Sequence, residues 1–224
     1  MNPSGPVPVR ALIFDMDGVM VDSNPIHCRA WEQFNRLYGV ETTPEMHRAM
    51  YGKRNDEIIR DVFGDALEEP EIFERGRAKE ALYREMARSE IERMVVPGLR
   101  EFMEKYHYVP KAVATNAEPD NVSFILNGAG LSPYFEAVVD GHQVARPKPF
   151  PDIYLRAGEL LGVEPAGCVV FEDSHSGVAA GVAAGMRVIG LTTSFVNLPG
   201  TVITIDNFWS GELALWLEAQ CRAV

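Results

Sequence analysis

The stretch Val9-Arg10-Ala11-Leu12-Ile13-Phe14-Asp15-Met16-Asp17-Gly18-Val19 decides the fold. Its first six residues form a short, mostly apolar run, which is typical of a buried parallel strand. Two aspartates follow directly, and Gly18 permits a backbone turn that few other residues adopt. We therefore expect Asp15 and Asp17 at the carboxyl end of a first strand, the edge at which open α/β sheets bind ligands.

Further apolar runs along the chain predict the remaining strands. They are Lys111–Ala114, Ala137–Val139, Cys168–Phe171, Arg187–Leu191 and, as a candidate sixth strand, Val202–Ile205. Amphipathic stretches between them predict helices at about Leu99–His107, Pro119–Ala129, Pro151–Leu161 and Gly177–Ala184. Strands that alternate with helices at this spacing predict βαβ units with right-handed crossovers. The fold class is therefore α/β, with a doubly wound, Rossmann-like parallel sheet.

Residues 24–94 break this alternation, because they show helical patterning rich in Glu and Arg and no strand pattern. Within them, Ile72–Met94 is predicted as one longer helix, and Pro97-Gly98 marks the return to the alternating pattern. We expect an α-helical cap domain over residues 23–95. It is inserted into a core domain formed by residues 1–22 and 96–224.

The composition limits the partners of this chain. Its 224 residues include 21 Lys and Arg against 32 Asp and Glu, a net charge of −11, which repels nucleic acid and anionic membranes. No apolar run reaches membrane-spanning length, and two aspartates interrupt the N-terminal region where a signal peptide would be most apolar. The widely spaced Cys28, Cys168 and Cys221 predict free thiols. We expect a cytoplasmic protein, either a monomer or a weak homodimer, with neither a nucleic-acid nor a membrane partner.

Polar residues follow several of the predicted strands. Besides Asp15 and Asp17, they are Thr115, Asn116, Glu172 and Asp173, and Lys148 lies in a loop just before a helix. Because the carboxyl ends of parallel strands share one edge, four carboxylates, a hydroxyl and a lysine should converge there. Adjacent carboxylates repel each other, so a bound cation explains the cluster, and an all-oxygen ligand set indicates Mg²⁺.

Each of these features also has a purely structural interpretation. An Asp pair is common in turns, and Glu172-Asp173-Ser174 is typical of a helix N-cap with acids in its first turn. Thr115-Asn116 would equally cap the next helix, and an isolated lysine such as Lys148 is more often solvated than catalytic. Their occurrence together in one chain, with Lys148 in a stiff loop between two prolines, favours a functional site.

Four ordered motifs resemble those of the haloacid dehalogenase superfamily. They are Asp15-Met16-Asp17-Gly18-Val19, Thr115-Asn116, Lys148-Pro149 and Phe171-Glu172-Asp173-Ser174. The resemblance runs from about Val9 to Thr193 and is closest to the phosphatases and β-phosphoglucomutases with a helical cap after the first strand. Dehalogenase members lack an acid at the position of Asp17, because a halide leaving group needs no proton. An oxygen leaving group is therefore expected here.

The resemblance implies a role for each motif residue. Asp15 would attack phosphorus to form an aspartyl-phosphate, and Asp17 would protonate the leaving alcohol and then deprotonate water. Mg²⁺ would be held by Asp15, the Asp17 backbone carbonyl, Asp173 and Glu172, the last directly or through water. Thr115 and Asn116 would bind phosphoryl oxygens, Gly18 would allow the turn, and Lys148 would offset negative charge.

The resemblance leaves open which reaction the cap selects. We expect a Mg²⁺-dependent phosphatase for a small phosphorylated metabolite of the sugar phosphate class, with a β-phosphoglucomutase as the alternative and a regulatory binding module as a third. His27 and Lys79 match the mutases, whose histidine at this place assists a hinge, although a helix-face histidine is more often structural. Lys53 and Arg54 are candidate substrate-binding residues. Two positions depart from the mutase pattern: Asn55 stands where the mutases have an arginine, and Ala117-Glu118-Pro119 lacks their lysine.

Overall fold

The computed structural model of the chain describes residues 7–221. The ends of the predicted core domain, residues 1–6 and 222–224, lie outside this range, and so does the Cys221 side chain with its predicted thiol. Six strands form one sheet in the order β3-β2-β1-β4-β5-β6, and every neighbouring pair is parallel. They are β1 (Ala11–Phe14), β2 (Lys111–Ala114), β3 (Ala137–Val139), β4 (Cys168–Glu172), β5 (Arg187–Leu191) and β6 (Ile203–Ile205). This confirms the doubly wound α/β fold, including the candidate sixth strand.

Ten α-helices occur within residues 7–221. They are α1 (Asn24–Leu37), α2 (Pro44–Met50), α3 (Asn55–Phe63), α4 (Glu69–Ala87), α5 (Ile91–Met94), α6 (Leu99–Lys105), α7 (Pro119–Gly128), α8 (Asp152–Leu160), α9 (His175–Ala183) and α10 (Gly211–Cys221). The four helices predicted between strands correspond to α6, α7, α8 and α9, with ends that differ by one or two residues.

The first strand is buried on both faces of the sheet. Leu12 and Phe14 point into one apolar cluster, whereas Ala11 and Ile13 point into the other. The Phe14 ring stacks on Phe171 of the neighbouring β4, with ring centroids 4.7 Å apart. Burial on two faces explains why the run is continuously apolar and does not alternate.

Helices α1 to α5, which we call the helical insertion, have an apolar cluster of their own. Its buried members are Trp31, Phe34, Met50, Ile58, Ile59 and Ile72. The chain enters and leaves the insertion side by side: the Asp22 N–H donates to the Met94 carbonyl at 2.7 Å, and the Val96 N–H donates to Met20 at 3.0 Å. The division into a cap domain at residues 23–95 and a core domain stays a prediction.

The predicted long helix Ile72–Met94 is wrong, because the structure has two helices there. Helix α4 ends at Ala87, residues 88–90 form a turn, and α5 begins at Ile91. The turn redirects the chain so that Ile91 and Met94 join the main core under the sheet. Ile91 packs so closely on α7 that a Cβ at Gly128 would lie 2.5 Å from its Cδ1. Tertiary packing overrides helix propensity at this point.

Two other expectations concern thiols and membranes. Cys28 and Cys168 are free thiols, as predicted. Among the helices of residues 7–221, none is both long and apolar enough to cross a membrane.

Candidate functional site

Three buried carboxylates meet at the carboxyl ends of β1 and β4. Asp15 follows β1, Glu172 ends β4 and Asp173 follows it, and the two strands are neighbours in the sheet. One oxygen from each carboxylate can be chosen so that all three lie within 4.8 Å of one another. The three residues are 7%, 0% and 4% exposed, respectively. Three of the four carboxylates that were predicted to converge at this edge therefore do so.

Lys148 is the cation of this carboxylate cluster. Its Nζ donates to Asp15 Oδ1 at 2.7 Å, to Glu172 Oε1 at 2.7 Å and to the Ala114 carbonyl at 3.1 Å. Burial acts to lower the pKa of Lys148, but the two carboxylates outweigh burial and raise the pKa above its ordinary value. Lys148 is therefore held as an ammonium, with all three N–H donors in use.

The cluster carries more negative charge than Lys148 balances. Burial raises the pKa of Asp15 to about 7, even though Lys148 acts to lower it. Burial and the Glu172 carboxylate also raise the pKa of Asp173 well above its ordinary value. Three carboxylates around one ammonium form an all-oxygen donor set with an excess of negative charge. Such a set suits a hard divalent cation, so the residues present fit Mg²⁺.

Glu172 is the carboxylate most fully occupied by the protein. Besides Lys148, its Oε1 accepts from the Tyr154 hydroxyl at 2.9 Å, and its Oε2 accepts from the N–H groups of Asp173 and Ser174, both at 2.8 Å. Gly177 makes room for it, since a Cβ there would lie 1.6 Å from Glu172 Oε1. These bonds favour metal contact through water over direct ligation by Glu172.

Asp17 has partners outside the carboxylate cluster. Its Oδ1 accepts from the Ser23 hydroxyl at 2.5 Å and lies 3.5 Å from His27 Nε2. Burial acts to raise the pKa of Asp17, but the hydrogen bonds from His27 and Ser23 outweigh it and lower the pKa below its ordinary value. Ser23 stands just before α1 without capping it, because its hydroxyl is bonded to Asp17.

His27 connects Asp17 to a buried lysine. His27 Nδ1 lies 2.7 Å from Lys79 Nζ, and the imidazole stacks on Tyr83 with ring centroids 3.8 Å apart. Lys79 is only 2% exposed. Because an ammonium can only donate, Nδ1 accepts, and the proton of a neutral His27 is on Nε2, facing Asp17.

Glu80 accepts hydrogen bonds at the far end of this chain of contacts. Its Oε1 accepts from Lys79 at 2.9 Å and from Asn55 of α3 at 2.8 Å, and its Oε2 accepts from Asn121 of α7 at 2.5 Å. Burial acts to raise the pKa of Glu80, but Lys79, His27 and Asn121 lower it to about 2. Glu80 therefore joins the helical insertion to α7 as a buried, charged group.

The low pKa of Glu80 predicts an acid-sensitive contribution to stability. Because about 2 lies below the ordinary value of 4.5, charged Glu80 stabilises the fold fully above pH 4.5 and progressively less as the pH falls toward 2. Between pH 7 and pH 3, the free energy of unfolding of the wild type should fall by about 2 kcal/mol more than that of Glu80→Gln. Urea unfolding at both pH values measures this difference.

Glu85→Gln is the matched control, because Glu85 lies exposed on the same helix, α4. It should lose as much stability as the wild type over this pH interval. Equal losses in the wild type and Glu80→Gln would show that Glu80 does not carry the effect.

A cavity of about 100 Å³ lies between the sheet edge and the helical insertion. Every candidate side chain from the sequence lines it: Asp15, Asp17, His27, Lys53, Arg54, Lys79, Thr115, Asn116, Lys148, Glu172 and Asp173. Gly18 is the one candidate that does not line it, and a Cβ at this glycine would lie 1.8 Å from Asp173 Oδ2. Apart from Gly18, the site residues predicted from the sequence therefore lie around one cavity. Their roles stay predictions.

Lys53 and Arg54, the two predicted substrate-binding cations of the helical insertion, already have carboxylate partners. Lys53 Nζ lies 2.7 Å from Asp61 Oδ2, and Arg54 Nε lies 3.2 Å from Asp56 Oδ1. Both pairs are partly exposed, so they contribute little to stability and can exchange for a ligand.

The helical insertion touches the sheet edge on the other side of the cavity. Asn116 Nδ2 donates to the Gly52 carbonyl at 3.3 Å, while Asn116 Oδ1 is buried without a hydrogen-bond partner among residues 7–221. The Tyr51 ring meets Phe195 edge to face, with centroids 5.9 Å apart. These contacts hold the insertion over the site, with an unused acceptor on Asn116.

Sequence reasoning missed several residues that hold the site in place: Ser23, Glu80, Asn121, Tyr154, Gly177 and Ser194. Ser194, whose hydroxyl donates to Asp173 Oδ2, was detectable, since it lies three residues after β5 at the same sheet edge. Glu80 was not detectable, because a glutamate in a Glu-rich helical segment is ordinarily exposed.

The sequence of this chain is similar to sequences of known proteins. The family described as haloacid dehalogenase-like hydrolase matches residues 9–185. A phosphorylated carbohydrates phosphatase of Thermotoga maritima is 36% identical over 190 residues, which cover 83% of this chain and 87% of that protein. A β-phosphoglucomutase of Mycobacterium bovis is 30% identical over 213 residues, covering 82% and 81%.

The fold is shared with solved structures as well. The crystal structure of a β-phosphoglucomutase from Clostridium difficile superimposes with a TM-score of 0.85, covering 96% of this chain and 98% of that one, at 21% identity. The family match extends from the first strand to the glycine before β5, and so includes all four motifs. The chain belongs to the family of haloacid dehalogenase-like hydrolases.

Proposed function

We propose that the protein is a Mg²⁺-dependent phosphatase that hydrolyses a small phosphorylated carbohydrate through an aspartyl-phosphate on Asp15. One observation carries the proposal: Asp15 and Asp17 face the same cavity, and Lys148 and two further carboxylates surround Asp15. The phosphorylated carbohydrates phosphatase with 36% identity supports the substrate class.

In the first step, an Asp15 oxygen attacks phosphorus, the new O–P bond forms, and the bond to the sugar oxygen breaks. Asp17 gives a proton to the departing oxygen. The lowered pKa of Asp17 favours its carboxylate form, so Asp17 must take up a proton before this step, and the proton that it removes from water in the second step returns it to the acid form for the next turnover. In the second step, Asp17 as a carboxylate takes a proton from the water that attacks phosphorus, which releases phosphate and restores Asp15.

Electrostatics supports both steps. Lys148 neutralises part of the charge on Asp15, which would otherwise repel the phosphate dianion. Asp15, Asp173 and the Asp17 backbone carbonyl would hold Mg²⁺, with Glu172 contacting it through water. When bound, the ion supplies positive charge that draws the nucleophile and the phosphoryl group together. Thr115 and Asn116, at the end of β2, would bind the phosphoryl oxygens.

A β-phosphoglucomutase is the second candidate function, and the contact between Lys79 and His27 favours it. The mutase relatives at 30% identity agree. Against it stand Asn55 and Ala117-Glu118-Pro119, where the mutases have cations for a second phosphate. Asn55 is moreover bonded to a carboxylate, that of Glu80. The phosphatase is therefore the better supported reaction.

A screen for Mg²⁺-dependent phosphate release over sugar phosphates tests the proposal. It includes β-glucose 1-phosphate with and without catalytic glucose 1,6-bisphosphate. Free phosphate from one or a few sugars would support the phosphatase. Glucose 6-phosphate formed with little free phosphate would establish the mutase instead, and no turnover of any ester would leave only a binding module.

The role of Asp17 predicts a dependence on the leaving group. Asp17→Asn cannot donate a proton, so hydrolysis of an alkyl phosphate such as a sugar phosphate should fall by about 10²–10⁴-fold. The rate with p-nitrophenyl phosphate should fall much less if its first step limits turnover, since that leaving group departs without a proton. Single-turnover burst measurements of p-nitrophenol release isolate the first step. Equal losses for both esters in that step would exclude Asp17 as the general acid.

A further inference from the structure

One wall of the cavity is formed by Asn55, Glu80 and Asn121, which we call the amide–carboxylate wall. All three residues line the cavity and are bonded to one another through Glu80. The wall is separated from Asp17 by two side chains, because Asp17 contacts His27, His27 contacts Lys79, and Lys79 contacts Glu80. A substrate with its phosphate at Asp15 would therefore meet this wall with a part remote from the reacting group.

The cations that line the cavity are already paired with carboxylates. Lys53 is paired with Asp61, Arg54 with Asp56, Lys79 with Glu80, and Lys148 with both Asp15 and Glu172. Of these pairs, the one at the wall is the most buried besides that of Lys148, with side chains 2% and 6% exposed. Among the residues described, every lysine and arginine on the cavity lining therefore has a carboxylate partner. The partly exposed Lys53 and Arg54 pairs can exchange for a ligand, whereas the buried pair at the wall keeps Lys79 neutralised.

The wall also offers acceptors where a phosphate would need donors. Glu80 Oε2 accepts one hydrogen bond, from Asn121, and so retains a free lone pair. A sugar hydroxyl can donate to the Glu80 Oε2 oxygen. A phosphate dianion has only acceptor oxygens and is repelled by a buried carboxylate.

We propose that the amide–carboxylate wall makes the site selective for carbohydrate monophosphates: it accepts the uncharged, hydroxylated end of the substrate and rejects a second phosphate. This inference rests on the proposed function, because it places the reacting phosphate at Asp15. Glu80 is its central specificity-determining residue. Its carboxylate both accepts the hydroxyl and neutralises Lys79, so that the lysine cannot attract an anion.

Binding measured without turnover tests the selectivity separately from the reaction. Isothermal titration calorimetry with the Asp15→Asn protein and Mg²⁺ would compare glucose 6-phosphate with glucose 1,6-bisphosphate, and fructose 1-phosphate with fructose 1,6-bisphosphate. We expect at least one monophosphate to bind tighter than its bisphosphate by tenfold or more. Phosphate release by the wild type, measured in parallel, tests the proposed function.

Two substitutions in the Asp15→Asn background test the wall itself. Glu80→Gln leaves the Lys79 charge unbalanced, and Asn55→Arg adds a cation without changing Glu80. Each should lower the ratio of bisphosphate Kd to monophosphate Kd by about tenfold. The ratio compares two ligands on one protein, so a loss of folded protein does not alter it. Glu85→Gln, exposed on the same helix, should keep the original ratio.

The possible outcomes separate the two proposals. Equal or tighter binding of both bisphosphates, an unchanged ratio in both variants, or no binding of any of the four esters would overturn the selectivity. Phosphate release by the wild type in any of these cases would leave the phosphatase standing. Selective monophosphate binding that Glu80→Gln abolishes, combined with no turnover of any ester, would overturn only the phosphatase.

Discussion

Asp15→Asn should lower the rate of Mg²⁺-dependent phosphate release by a factor on the order of 10⁴ or more while the chain keeps its fold. An asparagine cannot form the acyl-phosphate, so the two-step route through Asp15 is closed, and losses of this size follow removal of a nucleophile. The fold should persist because an asparagine Oδ1 can still accept from Lys148, the one side-chain partner of the Asp15 carboxylate that the structure shows.

The same substitution should raise the thermal stability of the metal-free protein. The pKa of Asp15 is raised to about 7 even with Lys148 beside it, so its ionised form costs free energy in the fold at pH 8 when no metal ion is bound. Asparagine removes that cost. Addition of Mg²⁺ should then raise the unfolding temperature of the variant less than that of the wild type, because one ligand charge is missing.

Asp22→Asn is the matched control, since Asp22 lies exposed in the same loop and does not line the cavity. It should retain both the rate and the response to Mg²⁺. Substantial phosphate release by Asp15→Asn would exclude Asp15 as the nucleophile. Loss of its circular dichroism spectrum would instead show that the residue is needed for folding, and then Asp15→Glu, which keeps the charge but displaces the oxygens, becomes the test.

The parts of the site that lie on strands were predictable from the sequence. A run buried on both faces reads as continuously apolar, so β1 and β4 could be located, and the residues after them had to share one edge of the sheet. Asp15, Glu172 and Asp173 follow from this reasoning alone. Thr115 and Asn116, after β2, follow from the same edge, whereas Lys148 was a candidate because of its loop just before a helix, and the structure places all three on one cavity.

The residues that the prediction missed depend on contacts between distant segments. Nothing in the sequence near Glu80 reveals that Asn121, 41 positions away, donates a hydrogen bond to its carboxylate. Ser23 looks like a helix cap because it precedes α1, yet its hydroxyl is committed to Asp17. The turn at residues 88–90 contains neither Gly nor Pro, and only the packing of Ile91 on α7 requires it. Local patterns carry no information about such contacts.

Gly18→Ala should reduce activity by about 100-fold or more and remove most of the stabilisation by Mg²⁺. Gly18 has φ of +80°, and an added Cβ would lie 1.8 Å from Asp173 Oδ2 and 2.4 Å from its Cγ. The Asp173 carboxylate would have to leave its position beside Asp15, which takes a ligand from the predicted metal site. A displacement of about 1 Å in such a site is enough for a loss of this size.

Gly39→Ala separates this collision from backbone strain. Gly39 has a similar φ of +72°, but a Cβ there would meet nothing within 4 Å. Both variants should therefore lose about 1–2 kcal/mol of stability from the left-handed conformation, measured by urea unfolding without Mg²⁺. Only Gly18→Ala should lose phosphate release and the upward shift of its unfolding temperature with Mg²⁺. Equal loss of activity in Gly39→Ala, or an unchanged response of Gly18→Ala to Mg²⁺, would show that a glycine at position 18 is not required for the position of the Asp173 carboxylate.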